Sequence, residues 1–101
     1  MVMDNIDIKS HFVDSQKYER LIAGENMILI PKNTMKDIQS AIFFNKLSNT
    51  IWEELIINNK TVTEIHETLF ELYDVDKIDL LSDIVDIINR LVKLDCIEYS
   101  N

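Results

Sequence analysis

The sequence contains very little glycine, proline and cysteine, with one of each among 101 residues. A single glycine excludes a glycine-rich loop that would hold a phosphate group. The single cysteine, Cys96, excludes an internal disulfide bond, and this favours a reducing, cytoplasmic location. No apolar run approaches the ~20 residues that span a membrane. The first residues are acidic where a signal peptide is basic, so we expect no membrane partner.

Basic residues are scarce as well. The 10 lysine and arginine residues are outnumbered by 18 aspartate and glutamate residues, which gives a formal net charge of −8. Proteins that bind nucleic acid neutralise phosphate groups with basic side chains, and anionic membranes attract the same side chains. The charge balance therefore argues against nucleic acid as a partner and favours a neutral or basic peptide.

Residues with catalytic or metal-binding chemistry form no recognisable group in the sequence. His11 and His66 are far apart, and neither has a further ligand at the spacing of a metal site. His66 lies opposite the apolar positions of its predicted helix, so we expect it to be solvated. Cys96 is expected to be a buried structural thiol. We predict a protein that is not an enzyme and holds no cofactor and no metal ion.

The first half of the chain predicts a small sheet. Residues 1–16 are polar and weakly patterned, which is typical of a tail or a loosely docked arm, and one domain of residues 17–101 follows. Short apolar runs closed by glycine, asparagine or proline predict strands, and Gly24 can adopt the positive φ of a turn. The predicted strands are Tyr18–Ala23, Met27–Ile30 and Ala41–Phe44, with a polar loop at Lys32–Ser40.

The second half of the chain predicts three helices and a closing strand at Cys96–Tyr99. Asn45 or Ser48 can cap the first helix. Thr61 and Glu64 match a capping box at the start of the second helix, and Asp76 can cap a third helix that runs to about Leu94. The predicted apolar faces are Leu47, Ile51, Trp52 and Leu55 on the first helix, and Val62, Ile65, Leu69 and Leu72 on the second. The whole pattern predicts an α+β fold with one core.

The third helix is apolar over too wide an arc for a single contact face. Its apolar residues cover roughly 200° of the helical wheel, whereas packing on one core requires about 100°. Two neighbours must therefore cover it: the core is one, and the second is the sheet, a second copy of the chain or a ligand. A similar choice applies to Ala41–Phe44, which is either fully buried or a sheet edge that can accept an extended peptide.

Three segments, in this order, resemble the PqqD-like proteins. Phe44–Trp52 is similar to the L-N-x-x-G-x-x-I-W pattern that opens their first helix. Thr61–Val75 resembles their T-x-x-E-I-x-x-x-L-x-x-x-Y-D-V, and Asp83–Leu91 resembles D-V-x-x-F-L-x-x-L. Met27–Pro31 is also similar to the second strand of members that stand alone beside peptide-modifying enzymes. The resemblance covers about residues 25–98.

Two positions depart from the pattern of the family. Ser48 and Asp95 stand where the family usually has glycine. Aspartate tolerates left-handed backbone better than most residues, so we expect the turn at Asp95 to be kept.

The resemblance implies a winged-helix-like fold with an N-terminal three-stranded antiparallel sheet followed by three helices. Such proteins bind the leader region of a ribosomally made precursor peptide and present it to a modifying enzyme. The leader adds as a strand beside the third strand, Ala41–Phe44 here, and lies against the third helix, Ile78–Leu94 here. The implied partner enzyme is a radical-SAM maturase or a leader peptidase.

The implied site combines the third strand with one flank of the third helix. We expect the backbone groups of Ile42 and Phe44 to pair with the leader, and the apolar side chains of the helix to form pockets for it. The opposite flank of the helix offers Val85 and Val92. The predicted site residues are Ala41, Ile42, Phe43, Phe44, Asp83, Ile84, Ile87, Arg90, Leu91 and Leu94.

Two other functions remain open at this point. A winged-helix DNA-binding regulator has the same elements, although its third helix would offer only Arg90 and Lys93 as bases. The other alternative is a protein that homodimerises through its apolar third helix.

Overall fold

The computed structural model describes residues 6–32 and 41–100. Its sheet of three antiparallel strands followed by three helices confirms the predicted α+β fold. The predicted loop at Lys32–Ser40 lies outside the described residues, except for Lys32. The strands are β1 (Phe12–Asp14), β2 (Tyr18–Ala23), β3 (Asn26–Pro31), β4 (Ile42–Phe44) and β5 (Ile97–Tyr99). The helices are α1 (Lys46–Trp52), extended by a π-helical turn at Glu53–Ile57, then α2 (Val62–Leu72) and α3 (Lys77–Lys93).

The sheet order β2–β3–β4 places β4 at one edge. β2 and β3 are joined by the two-residue turn Gly24–Glu25, with Ala23 opposite Asn26. Gly24 has a φ of 65°, whereas Glu25 does not have a positive φ. This is the type II′ geometry, whose twist suits a tight hairpin and whose first central position favours glycine.

The register of the sheet fixes which backbone groups of β4 are free. Lys32 N–H donates to the carbonyl of Lys17 at 3.0 Å, and bonded pairs alternate along an antiparallel ladder. Met27 and Leu29 lie between the bonded positions of β3, so their backbone groups point to β4. Phe44 lies opposite Met27 there, and Ile42 lies opposite Leu29. It follows that Phe43 directs its N–H and C=O away from β3, toward the open side of β4.

A second, two-stranded sheet closes the other side of the fold. β1 pairs with β5, so that Phe12 lies opposite Tyr99, with their ring centroids 4.6 Å apart. Phe12 is buried in the core, and the Ile8 carbonyl accepts hydrogen bonds from the N–H and hydroxyl of Thr63. Phe12–Asp14 is thus a paired strand, although it lies within the predicted arm of residues 1–16. Residues 1–5 of that arm lie outside the described part of the chain.

The caps of the helices agree with the sequence. Asn45 caps α1 by accepting from Ser48 N–H at 3.0 Å, and Thr61 and Glu64 form both hydrogen bonds of a capping box on α2. Asp76 caps α3. Leu72 was assigned to the apolar face of α2, but it is exposed, because it is the last residue of α2 and the chain continues in extended backbone at Tyr73. The core contains Phe12, Met27, Leu29, Phe44, Ile51, Trp52, Leu55, Val62, Ile65, Leu69, Leu80, Ile84, Val85, Ile88, Leu91, Cys96 and Ile97.

Two side chains of β2 fasten the sheet to the helices. The Tyr18 hydroxyl donates to the Leu94 carbonyl at 2.7 Å, at the end of α3. Arg20 donates to the Asn49 side chain on α1 and lies 5.8 Å from the centre of the Trp52 ring. Burial lowers the pKa of the Arg20 guanidinium, and the nearby Glu53 carboxylate opposes this shift.

Candidate functional site

The open edge of β4 is apolar on both faces. Phe44 turns its side chain into the core, Ile42 is half-buried, and Phe43 lies on the outer face with 67% of its side-chain surface exposed. Among residues 6–32 and 41–100, β4 pairs only with β3. The expected backbone contacts require a correction, since Ile42 and Phe44 bond to β3 and Phe43 carries the free N–H and C=O.

α3 approaches this edge with the flank that carries Asp83, Ile87, Arg90 and Leu94. The Arg90 guanidinium lies 4.6 Å from the centre of the Phe44 ring, which is cation–π distance. Ile87 is half-buried, and Leu94 is 36% exposed. The surface formed by β4 and by Asp83, Ile87, Arg90 and Leu94 of α3, which we call the cleft, thus combines apolar side chains with a guanidinium beside Phe44.

Both flanks of α3 contact the core. Val85 is buried, and Ile87 and Val92, one on each flank, are both half-buried and pack against the core. Of the two flanks that the sequence left open, the one with Asp83, Ile87 and Arg90 contacts β4 through Arg90 and Phe44.

The ten predicted site residues separate into exposed and buried groups. Phe43, Asp83, Arg90 and Leu94 are exposed, and Ala41, Ile42 and Ile87 are half-buried. Phe44, Ile84 and Leu91 are core residues, and the last two have no exposed surface. Ile84 and Leu91 therefore support the site from below, because a ligand that lies on the surface does not reach them.

A cavity that the sequence did not predict lies beside the first half of α3. It has a volume of about 600 Å³ and is lined by Lys46, Leu47, Tyr73, Val75, Asp76, Asp79, Leu80 and Asp83. We call it the α2–α3 pocket, because most of its lining comes from the turn between α2 and α3 and from the start of α3. Lys46 and Leu47 follow β4 almost directly in the chain, and Asp83 also belongs to the predicted site, so the pocket adjoins that site.

His66 connects α2 to the beginning of α3, although the sequence predicted a solvated side chain. It is 8% exposed, and its Nε2–H donates to the Lys77 carbonyl at 2.8 Å. A carbonyl oxygen is only an acceptor, so His66 carries a proton on Nε2. His66 lies outside the cleft, and it holds the α2–α3 turn that forms one wall of the pocket.

Cys96 is buried, as predicted, and desolvation raises the pKa of its thiol to about 11. Such a thiol stays protonated and unreactive at neutral pH. Within the described ranges, no three histidine, cysteine, aspartate or glutamate residues are grouped to hold a metal ion. Nor does any helix in that part of the chain have the length and hydropathy to cross a membrane.

Two of three comparisons with known proteins found a match. The chain is similar in fold to the solved structure "TbiB1 in Complex with the TbiA(beta) Leader Peptide", with a TM-score of 0.71 and 19% sequence identity. The match covers 87% of this chain and 98% of that chain. No curated protein matches the sequence. The family model described as Coenzyme PQQ synthesis protein D (PqqD) matches residues 27–97, from β3 to the start of β5. This match spans more than half of the chain and includes β4 and α3, and the protein therefore belongs to the PqqD family.

Proposed function

We propose that this protein binds the leader region of a ribosomally made precursor peptide and presents it to a modifying enzyme, with no catalytic step of its own. The observation that carries the proposal is the uncharged open edge of β4, beside the flank of α3 that carries Ile87 and Arg90. Membership of the PqqD family and the fold shared with a leader-bound protein support it.

The leader binds as an additional strand beside β4. Its backbone exchanges hydrogen bonds with Phe43, because only this residue of β4 directs both polar groups outward. Side chains of a strand alternate between faces, so every second leader residue enters the cleft toward Ile87 and Leu94. The remaining leader residues lie on the outer face, next to Phe43. Backbone pairing supplies affinity, and the cleft supplies sequence preference.

The partner enzyme is a radical-SAM maturase or a leader peptidase, and the complex works in the cytoplasm. A small carrier of leader peptides requires a second protein for the chemistry, because its cleft lacks a catalytic group. The buried, protonated thiol of Cys96 lies outside the cleft and does not act as a nucleophile there.

The exposed stripe of α3 does not suit the DNA-binding alternative. Asp79, Asp83 and Asp86 follow one another on this stripe at helical spacing, and Arg90 is stacked on Phe44. A recognition helix presents bases to phosphate groups, whereas these carboxylates repel them.

The experiment is a titration of the full chain with synthetic leader segments encoded by small genes beside its own, followed by amide NMR shifts. We expect shifts grouped on Ala41–Phe44 and along α3. Ile87→Ala should weaken binding by about fivefold to thirtyfold, since a half-buried isoleucine contributes ~1–2 kcal/mol. Val92→Ala is the matched control, because Val92 is equally half-buried on the other flank of α3, and this variant should bind as the wild type does.

Full binding by folded Ile87→Ala and Phe43→Pro variants would remove the cleft and the edge of β4 as the binding site. If no leader segment binds, the proposed function is wrong, while the fold stands. Sizing of the same samples tests the homodimer alternative, since a dimer that dissociates when leader is added uses the same surface.

A further inference from the structure

The α2–α3 pocket has an apolar floor that the core does not fill. Leu47 and Leu80 form part of its lining, together with Tyr73 and Val75 from the turn. A volume of about 600 Å³ lies within the range of sites that take a ligand or a large side chain. The pocket is therefore large enough for an aromatic or branched apolar residue of a bound peptide.

Exposed apolar residues are concentrated beside this pocket. Between the last turn of α2 and the first turn of α3, the large apolar residues with exposed side chains are Phe70, Leu72, Tyr73, Val75 and Ile78. A group of this kind marks an interaction surface more often than single apolar residues do. Because Tyr73 and Val75 belong both to this group and to the pocket, they favour a partner that enters the pocket.

The charges of the pocket indicate what kind of partner that is. Asp76 is engaged in capping α3, and Lys46 pairs with Glu25 outside the pocket at 3.5 Å. The carboxylates of Asp79 and Asp83 form no ion pair and no hydrogen bond with other described residues. They are four residues apart on one helix face, where like charges repel each other. A cation placed between them would relieve that repulsion.

We propose that the α2–α3 pocket takes an apolar side chain of the bound peptide and that an adjacent lysine or arginine of the peptide pairs with Asp79 and Asp83. The proposal rests on the proposed function and adds the chemistry of the peptide segment next to the one that pairs with β4. The pocket begins at Lys46 and Leu47, just beyond β4, and shares Asp83 with the cleft. A peptide strand on β4 therefore reaches it within a few residues.

A second copy of this chain fits the pocket less well. Its surface carries the same excess of acidic residues, with a net charge of −8, and two such surfaces repel each other. A peptide with one apolar residue beside a base has a side chain that can fill the pocket and a positive charge that can pair with Asp79 and Asp83.

The test uses a display library of random peptides selected on the immobilised full chain. Selection is repeated on Asp79→Asn/Asp83→Asn and on Glu67→Gln/Glu71→Gln. The second variant is the matched control, because it also removes two exposed acids four residues apart on one helix, outside the pocket. Enriched peptides are then synthesised with and without their base, and their affinities are measured at low and high salt.

We expect wild-type and control selections to enrich an apolar residue next to lysine or arginine. For such peptides, Asp79→Asn/Asp83→Asn should lower affinity by about twofold to tenfold, the effect of one or two exposed ion pairs. Replacing the base of the peptide by glutamine should remove this difference, and high salt should reduce it.

Peptides that bind through the cleft but lose nothing in Asp79→Asn/Asp83→Asn would overturn this proposal and leave the proposed function intact. In that case, Ile87→Ala would lose peptide binding, whereas Asp79→Asn/Asp83→Asn would bind as the wild type does. Amide shifts at Val75 and Leu80 that depend on protein concentration alone would also overturn it, because a second copy would then occupy the pocket. If the selection yields no peptide that depends on Phe43 or Ile87, the proposed function fails as well.

Discussion

The two edges of the three-stranded sheet differ in how their backbone groups are protected. β2 forms one edge and carries Glu19 and Arg20, whereas β4 forms the other edge with Ile42, Phe43 and Phe44. Charged residues on an edge strand discourage pairing with another chain. β4 has neither a charged residue nor a proline, so its edge is less protected against pairing than that of β2.

An arginine accompanies each edge, but the two arginines have different roles. Arg20 donates from β2 to Asn49 and is largely withdrawn from solvent. Arg90 comes from α3, is exposed and covers the ring of Phe44. The first arginine connects two parts of the protein to each other, whereas the second lies at the rim of an open cleft. Arg20 therefore stabilises the contact of β2 with α1, and under the proposed function the edge of β4 is the one that binds.

The largest effect is expected when proline replaces Phe43. Proline is accepted on an edge strand where the N–H faces outward, so the pairing of β4 with β3 should survive. The replacement removes the free N–H of β4 and places a ring in the path of an incoming strand. Leader affinity should fall by more than about tenfold, measured by calorimetry, with an unchanged circular dichroism spectrum.

Ile22→Pro is the matched control on β2. The register directs the N–H of Ile22 away from β3 as well, and its side chain is exposed. This variant should bind the leader as the wild type does. Equal losses in the two variants would show that the two edges do not differ in the way described.

The second comparison replaces Arg20 and Arg90 by alanine in two separate variants. Arg20→Ala should lower the free energy of unfolding by about 1–3 kcal/mol, because the side-chain oxygen of the buried Asn49 loses its donor. Leader affinity should be unchanged while the protein is folded. Arg90→Ala should lower the free energy of unfolding by less than about 1 kcal/mol and should change leader affinity instead.

Denaturant unfolding and calorimetry on the same samples check this pair. If Arg20→Ala weakens leader binding while the protein is fully folded, β2 takes part in recognition. The two edges would then not differ in the way described.

The sequence predicted the elements of the fold where their signals are local. The capping box of Thr61 and Glu64 and the positive φ of Gly24 are set by residues within a few positions of each other. Asp95 adopts the expected left-handed backbone, with a φ of 63°. The pairing of β1 with β5 was missed, because strands of three residues at opposite ends of the chain have no local pattern that shows they pair.

The burial of the candidate site was not predictable from the sequence. The helical wheel of α3 offered two flanks, and it did not show that Ile84 and Leu91 on the preferred flank face the centre of the core. Alternation in β4 was visible, but the direction of its hydrogen bonds depends on the hairpin between β2 and β3. The α2–α3 pocket needs residues from three separate segments, and its one local signal was the apolar excess around Tyr73 and Val75.

The smallest effect is expected when threonine replaces Phe43. Threonine keeps the outward N–H and a strong preference for strands, so backbone pairing with the leader should persist. On the outer face, Phe43 stands in one row with Ile28 and Leu21, and a bound leader extends this row by one residue. Loss of the aromatic side chain removes cross-strand contacts worth about 0.2–1 kcal/mol, so affinity should fall by about fivefold at most. A loss as large as that of Phe43→Pro would mean that the side chain of Phe43, and not the open backbone edge of β4, holds the leader.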